Sequence, residues 1–163
     1  MSPDLAGLPL QEPPDYAEVA RWHIEPTVTA ARVLRHKVIA RWGDGQHDQS
    51  QPITMNRLTL VLTELVTNAV QHGEGLIDVT LGRTSAGWLI VVSEAPAPQQ
   101  RPAPAATAWR RADLDAPETG GRGLSIVVAV SSRCGWTRRA GELAVWAEVL
   151  VVSTPFVGLT AVH

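Results

Sequence analysis

Cysteine, lysine, phenylalanine and tyrosine are almost missing from this 163-residue chain, and each scarcity narrows what the protein can be. The lone Cys134 excludes an intramolecular disulfide, so the fold must stand on core packing and suits a reducing compartment. Lys37 is the only lysine beside thirteen arginines and has no glycine-rich neighbourhood, which excludes a Walker-type phosphate loop. With one Phe and one Tyr, aromatic bulk falls to six tryptophans, which read as core material rather than as an interface. Trp109, set in a proline-rich stretch, is the exception. A basic stripe is missing too: the formal charge is -2 and the pI about 6.2, so no direct nucleic-acid contact is expected. The best apolar run, Leu143 to Val152, is interrupted by Trp146 and Glu148 and falls short of the roughly 20 residues a bilayer span needs. Met1 to Asp15 holds no basic cluster followed by an apolar run, so no secretory signal is expected. These exclusions predict a cytoplasmic protein with no membrane contact. What remains is foldable: 45% hydrophobic and 18% charged residues, at a length that fits one domain.

Residues 1–18 carry Pro3, Pro9, Pro13 and Pro14 without a hydrophobic period and read as a flexible leader. The domain is expected over residues 19–152, with a tail at 153–163 to which no role attaches. Arg21-Trp22-His23-Ile24 reads as a short strand before Pro26. Val28, Ala31, Val33, Leu34, Val38 and Ile39 predict a helix from Thr27 to Trp42, stopped by Gly43-Asp44-Gly45. In the next helix Pro52 suits the first turn, and Leu58, Leu62, Leu65 and Ala69 form a buried stripe before Gly73 and Gly75. Ile77–Arg83 and Trp88–Ser93 predict an antiparallel hairpin. Residues 95–119 include Pro96, Pro98, Pro102, Pro104 and Pro117, and a loop of that length inside a domain is functional or disordered. A helix from Leu124 to about Ser132 and a hairpin of Gly135–Arg139 with Ala144–Val152 close the chain. That order suits an α/β fold with helices packed on one face of a sheet.

Chemistry concentrates in two places. On the best helix, Glu64, Asn68 and His72 recur at four-residue spacing, which stacks them on one face. A carboxylate and an amide oxygen are hard ligands of the kind Mg²⁺ accepts, and the carboxylate can act as a general base. For three polar residues alone, a solvated helix face is the commoner explanation. The second place is Thr119-Gly120-Gly121-Arg122-Gly123-Leu124, which leads from the long loop into an apolar helix. Glycines there expose backbone N–H groups, and the helix start adds its free donors and positive dipole end, a setting for phosphate. Taken singly, such glycines more often mark only a loop-to-helix junction. His36 has no acidic neighbour and no following proline, so it reads as a surface helical residue rather than a phosphoacceptor, and Cys134 reads as structural.

Together, Glu64-Leu-Val-Thr-Asn68-Ala-Val-Gln-His72-Gly73 resembles the N box of the GHKL ATPases, and Gly120-Gly121-Arg122-Gly123-Leu124-Ser125-Ile126-Val127 resembles their second glycine box. Ala144-Val145-Trp146-Ala147-Glu148-Val149 is similar to the last strand of the stand-alone, anti-sigma-factor serine/threonine kinase branch. The likeness covers about residues 20–152. It implies the histidine kinase-like ATPase fold, an α/β two-layer sandwich of a mixed, mostly antiparallel sheet with helices on one face. It also implies ATP and Mg²⁺ as cofactors and residues 95–119 as the ATP lid, with Arg110, Arg111 or Arg122 able to meet phosphate. By the family pattern Glu64 corresponds to the catalytic or water-orienting carboxylate and Asn68 to the Mg²⁺ ligand. His72, Gly120, Gly121, Arg122, Gly123 and Leu124 fall in the nucleotide-binding boxes. One box departs: where the family reads adenine with Asp and glycines, this chain has Glu94-Ala95-Pro96-Ala97-Pro98. A weakened bond to a charged group costs roughly 1.5–3 kcal/mol, or about 10- to 150-fold in affinity. The resemblance implies a kinase that works on a sigma factor or on an anti-sigma-factor antagonist protein, and a homodimer formed through the first strand and helix. Glu94 and the prolines leave open a second reading, a protein-interaction module of the same fold without phosphoryl transfer.

Overall fold

The computed structural model describes residues 8–43, 51–72, 75–94, 122–139 and 141–152. Five strands form one sheet: β1 (Ala17–Ile24), β2 (Ile77–Arg83), β3 (Gly87–Glu94), β4 (Arg133–Arg139) and β5 (Glu142–Leu150). Their spatial order is β1-β2-β3-β5-β4, and every ladder is antiparallel. Three helices accompany them: α1 (Ala30–Trp42), α2 (Gln51–His72) and α3 (Arg122–Val130). This is the expected α/β sandwich. Both hairpins fall where the sequence placed them, and the only parallel pairing among the described residues is a single bridge from Leu10 to Trp136.

The two faces of the sheet follow from strand alternation. On one face Trp88, Ile90 and Val92 of β3 stand opposite Val149, Ala147 and Val145 of β5. They join Leu34 and Val38 of α1, the Leu58, Leu62, Leu65 and Ala69 stripe of α2, and Leu124 and Val127 of α3 in one buried cluster. The α1 stripe is narrower than its sequence implies, because Val28, Val33 and Ile39 are exposed. At the outer end of this layer Trp22, Trp42 and Trp88 meet edge to face, at centroid distances of 6.3 and 5.8 Å. Arg83 lies over Trp88 at 4.4 Å, which shields the last ring from water. These tryptophans are core bulk, as expected; Trp109 lies outside the described residues.

The opposite face carries the main correction. A flexible leader over residues 1–18 was expected, yet residues 8–18 belong to the fold. Leu8 is fully buried in the core cluster. Pro9 O accepts from Trp136 N at 3.0 Å and Gln11 N donates to Trp136 O at 2.9 Å, which extends the β4 edge. The chain then crosses the open face. Gln11 O accepts from Trp146 Nε1 at 2.7 Å, Glu12 bonds Thr137, and the Tyr16 ring lies so close over Gly82 that a Cβ there would collide with it. Ala17 begins β1 at the far edge, earlier than the expected Arg21. Four strand spacings of about 4.8 Å separate β4 from β1, and the steps from Gln11 to Ala17 reach about 20 Å when extended. The strap has little slack. The prolines that made it look unstructured remove N–H donors that no ladder partner waits for on a sheet face.

Glu148 also faces this side and is 1% exposed. Its carboxylate accepts from Thr84 at 2.7 Å, from Arg133 Nε at 2.8 Å and from Ser132 at 3.2 Å. One buried charge thus ties the β2–β3 turn and the α3–β4 junction to β5. The Arg133 hydrogen bond, followed by Thr84 and Ser132, holds the Glu148 carboxyl below the usual carboxylate range against the opposing effect of burial. A lowered folded-state pKa stabilises the protein above the unfolded value, and that stability is lost as pH falls through the folded value. Glu148→Gln is therefore expected to lose about 1–2 kcal/mol at pH 7 and much less near pH 3. Urea melts of both proteins at the two pH values check this; equal losses at both would remove the charge from the account. Cys134 is the second residue of β4, half-buried, and burial pushes its thiol pKa up.

Candidate functional site

The site grows from α2. Its apolar stripe turns one side of the helix into the core, and Thr59 and Thr63 satisfy their hydroxyls on the carbonyls of Met55 and Thr59 at 2.8 and 2.7 Å. These bonds stay within the helix, so the threonines do not compete for the groups beside them. Glu64 is half-buried, and Asn68, one turn later, is 6% exposed. An amide this buried on the polar stripe is not a solvated surface group.

The second motif arrives from the other direction. Leu124 and Val127 are 2% and 0% exposed and anchor α3 to the core by its apolar side. Arg122, the first helical residue, and Gly123 therefore begin the helix beside α2. A Cβ built on Gly123 would lie 2.7 Å from Glu64 Oε2. The two motifs, far apart in the chain, touch at that point. The start of α3 brings backbone N–H groups without intrahelical partners and the positive end of the helix dipole to the neighbourhood of the Glu64 carboxylate.

The remaining expected residues are placed as follows. His72 is the last residue of α2 and Arg122 the first of α3, with side chains outside the described set. Gly120, Gly121, the Ala95–Thr119 loop, Arg110 and Arg111 lie outside the described residues. Glu94 is the final residue of β3, half-buried, with Ile77 as its ladder partner. His36 is exposed on α1, as read. Among the described residues no cluster of three or more His, Cys, Asp or Glu side chains gathers, and no helix is long and apolar enough to cross a membrane. The contact of Gly123 with Glu64 has no counterpart in the sequence reading, which took the glycine as a phosphate neighbour only.

Whether these groups fit a magnesium nucleotide is decided by donor chemistry and space. Glu64 and Asn68 offer the oxygen ligands Mg²⁺ takes while it keeps its waters, and the start of α3 beside them offers backbone N–H groups to phosphate. They fit.

A two-layer sandwich with a carboxylate–amide helix face against a glycine-led helix start defines an ATPase domain of the nucleotide-binding kind. The family model of the histidine kinase-like ATPase domain matches residues 24–149, and the chain belongs to that family. Membership suggests ATP binding, with Mg²⁺ the usual companion ion. No curated protein matches the chain.

Proposed function

We propose that the protein is an ATP- and Mg²⁺-dependent serine/threonine kinase of the anti-sigma-factor type, acting in a partner-switching pathway. The observation that carries this reading is the approach of Gly123 to the Glu64 carboxylate, which sets a general-base candidate beside an anion-binding helix start. ATP, when bound, supplies the phosphoryl group and its electrophilic phosphorus. Glu64 takes the proton of a substrate hydroxyl at a carboxylate oxygen. Asn68 offers its amide oxygen to the metal, and the buried helix face behind it keeps that oxygen in place. The opening N–H groups of α3 bind and orient phosphate oxygens and stabilise charge that develops on them. The partner is a sigma factor or an antagonist protein with an acceptor serine or threonine, and a homodimer and a cytoplasmic location belong to the same proposal.

A second reading keeps the fold as a protein-interaction module without turnover. Glu94 stands at the end of β3 where the family has an adenine-reading Asp, and Ala95-Pro96 follow in place of glycines. Calorimetry with Mg-ATP separates the two. The kinase reading expects binding in the micromolar to submillimolar range, weakened roughly 10- to 150-fold by Asn68→Ala. A folded wild type that binds nothing at millimolar ATP leaves only the interaction module.

A further inference from the structure

We propose that Gly123 is a positioning residue: its missing side chain leaves the space that the Glu64 carboxylate occupies, so the second residue of α3 decides where the base stands. The inference rests on the site reading above but assigns Gly123 a task other than phosphate contact.

Two observations carry it. The first is backbone conformation. Gly141 is the only glycine of positive φ among the described residues, so Gly123 sits in ordinary helical geometry that alanine adopts at lower cost. A helical glycine gives up about 0.5–1 kcal/mol relative to alanine, so something other than φ must repay it. The second is what a methyl would meet. Its nearest neighbours are Glu64 Oε2 at 2.7 Å, Cδ at 3.8 Å and Cβ at 4.0 Å, with no backbone and no core side chain among them. Among the described residues, Glu64 is therefore the one that such a methyl would displace. The clash falls on the free end of a flexible side chain, so the domain tolerates it; the carboxylate does not keep its place. Leu124 and Val127 anchor α3 in the core, so the helix has no easy retreat.

Base catalysis depends on position before pKa, and a misplacement of about 1 Å costs about 100-fold. Binding of phosphate to α3 N–H groups does not depend on the Glu64 carboxylate. The positioning role therefore predicts a split: Gly123→Ala keeps nucleotide affinity and loses turnover.

The test has two parts. In a thermal double-mutant cycle, Gly123→Ala is expected to raise Tm by about 2–4 °C in a Glu64→Ala background, where the space is vacant. In the native background that gain shrinks by at least 2 °C or reverses. Equal shifts in both backgrounds would show that methyl and carboxylate do not compete, and would overturn the proposal whether or not the protein is a kinase. In the second part, Mg-ATP affinity of Gly123→Ala by calorimetry stays within about 3-fold of wild type while turnover falls at least 10-fold. A 10-fold loss of affinity would instead make Gly123 a phosphate contact and overturn the positioning role. Absence of turnover in wild type itself sinks the kinase reading, and the thermal cycle then decides alone whether Gly123 sets Glu64.

Discussion

A chain that begins at residue 13 is expected to melt about 4–20 °C below the full-length protein. The first cost is Leu8, which is fully buried; deletion of a buried leucine side chain costs about 2–5 kcal/mol. The second is polar. Trp146 Nε1 loses the Gln11 carbonyl, and the β4 edge loses its two backbone bonds to Pro9 and Gln11. Each neutral bond is worth about 0.5–1.5 kcal/mol net. At about 2–4 °C per kcal/mol for a domain of this size, 2–5 kcal/mol gives the stated range. Thermal unfolding followed by circular dichroism checks it, with Leu8→Ala in the intact chain expected to reproduce most of the loss. A shift under about 2 °C in both proteins would return residues 1–12 to the role of a dispensable leader. Truncation also bares the outer edge of β4, and unpaired edges invite association, so the shortened protein is expected to aggregate on heating.

The strap also marks where sequence stops being informative. Leu8-Pro9-Leu10-Gln11-Glu12-Pro13-Pro14 has no period because its partners are on β4 and β5 rather than on itself. Periodicity reports elements that bury one repeating face, and it reported α2 and both hairpins closely. The order β1-β2-β3-β5-β4 has no local signal, since β5 inserts between β3 and β4 only when the whole sheet forms. Glu148 shows the same limit. In the sequence it interrupts an apolar run; in the fold it is buried because Thr84, Ser132 and Arg133 arrive from other elements to satisfy it. In the candidate site, the spacing of Glu64 and Asn68 was visible because a helix face is local. The meeting of α3 with Glu64, and with it the reason for glycine at position 123, required coordinates.

On the proposed kinase reading, the largest functional effect is expected from Glu64→Gln: Mg-ATP affinity within about 3-fold of wild type, and phosphoryl transfer to the proposed acceptor protein down about 100- to 10,000-fold. Glutamine has nearly the same size and keeps an oxygen that can accept a hydrogen bond, so packing against Gly123 persists. What it lacks is a group that takes a proton at neutral pH. A defect confined to turnover therefore reports the base itself. Asn68→Ala is expected to act the other way, through affinity, because the proposal gives its oxygen to the metal. The pair separates the roles on one helix face: one variant binds and does not transfer, the other scarcely binds. Single-turnover transfer measured at saturating Mg-ATP removes affinity from the comparison. If Glu64→Gln transfers at the wild-type rate, the carboxylate is a structural neighbour of Gly123 and the base must be sought on the substrate. If wild type and variant bind ATP equally and neither transfers to any acceptor tried, ATP is a conformational ligand of an interaction module, and the partner recognises the nucleotide-bound surface rather than receiving its phosphate.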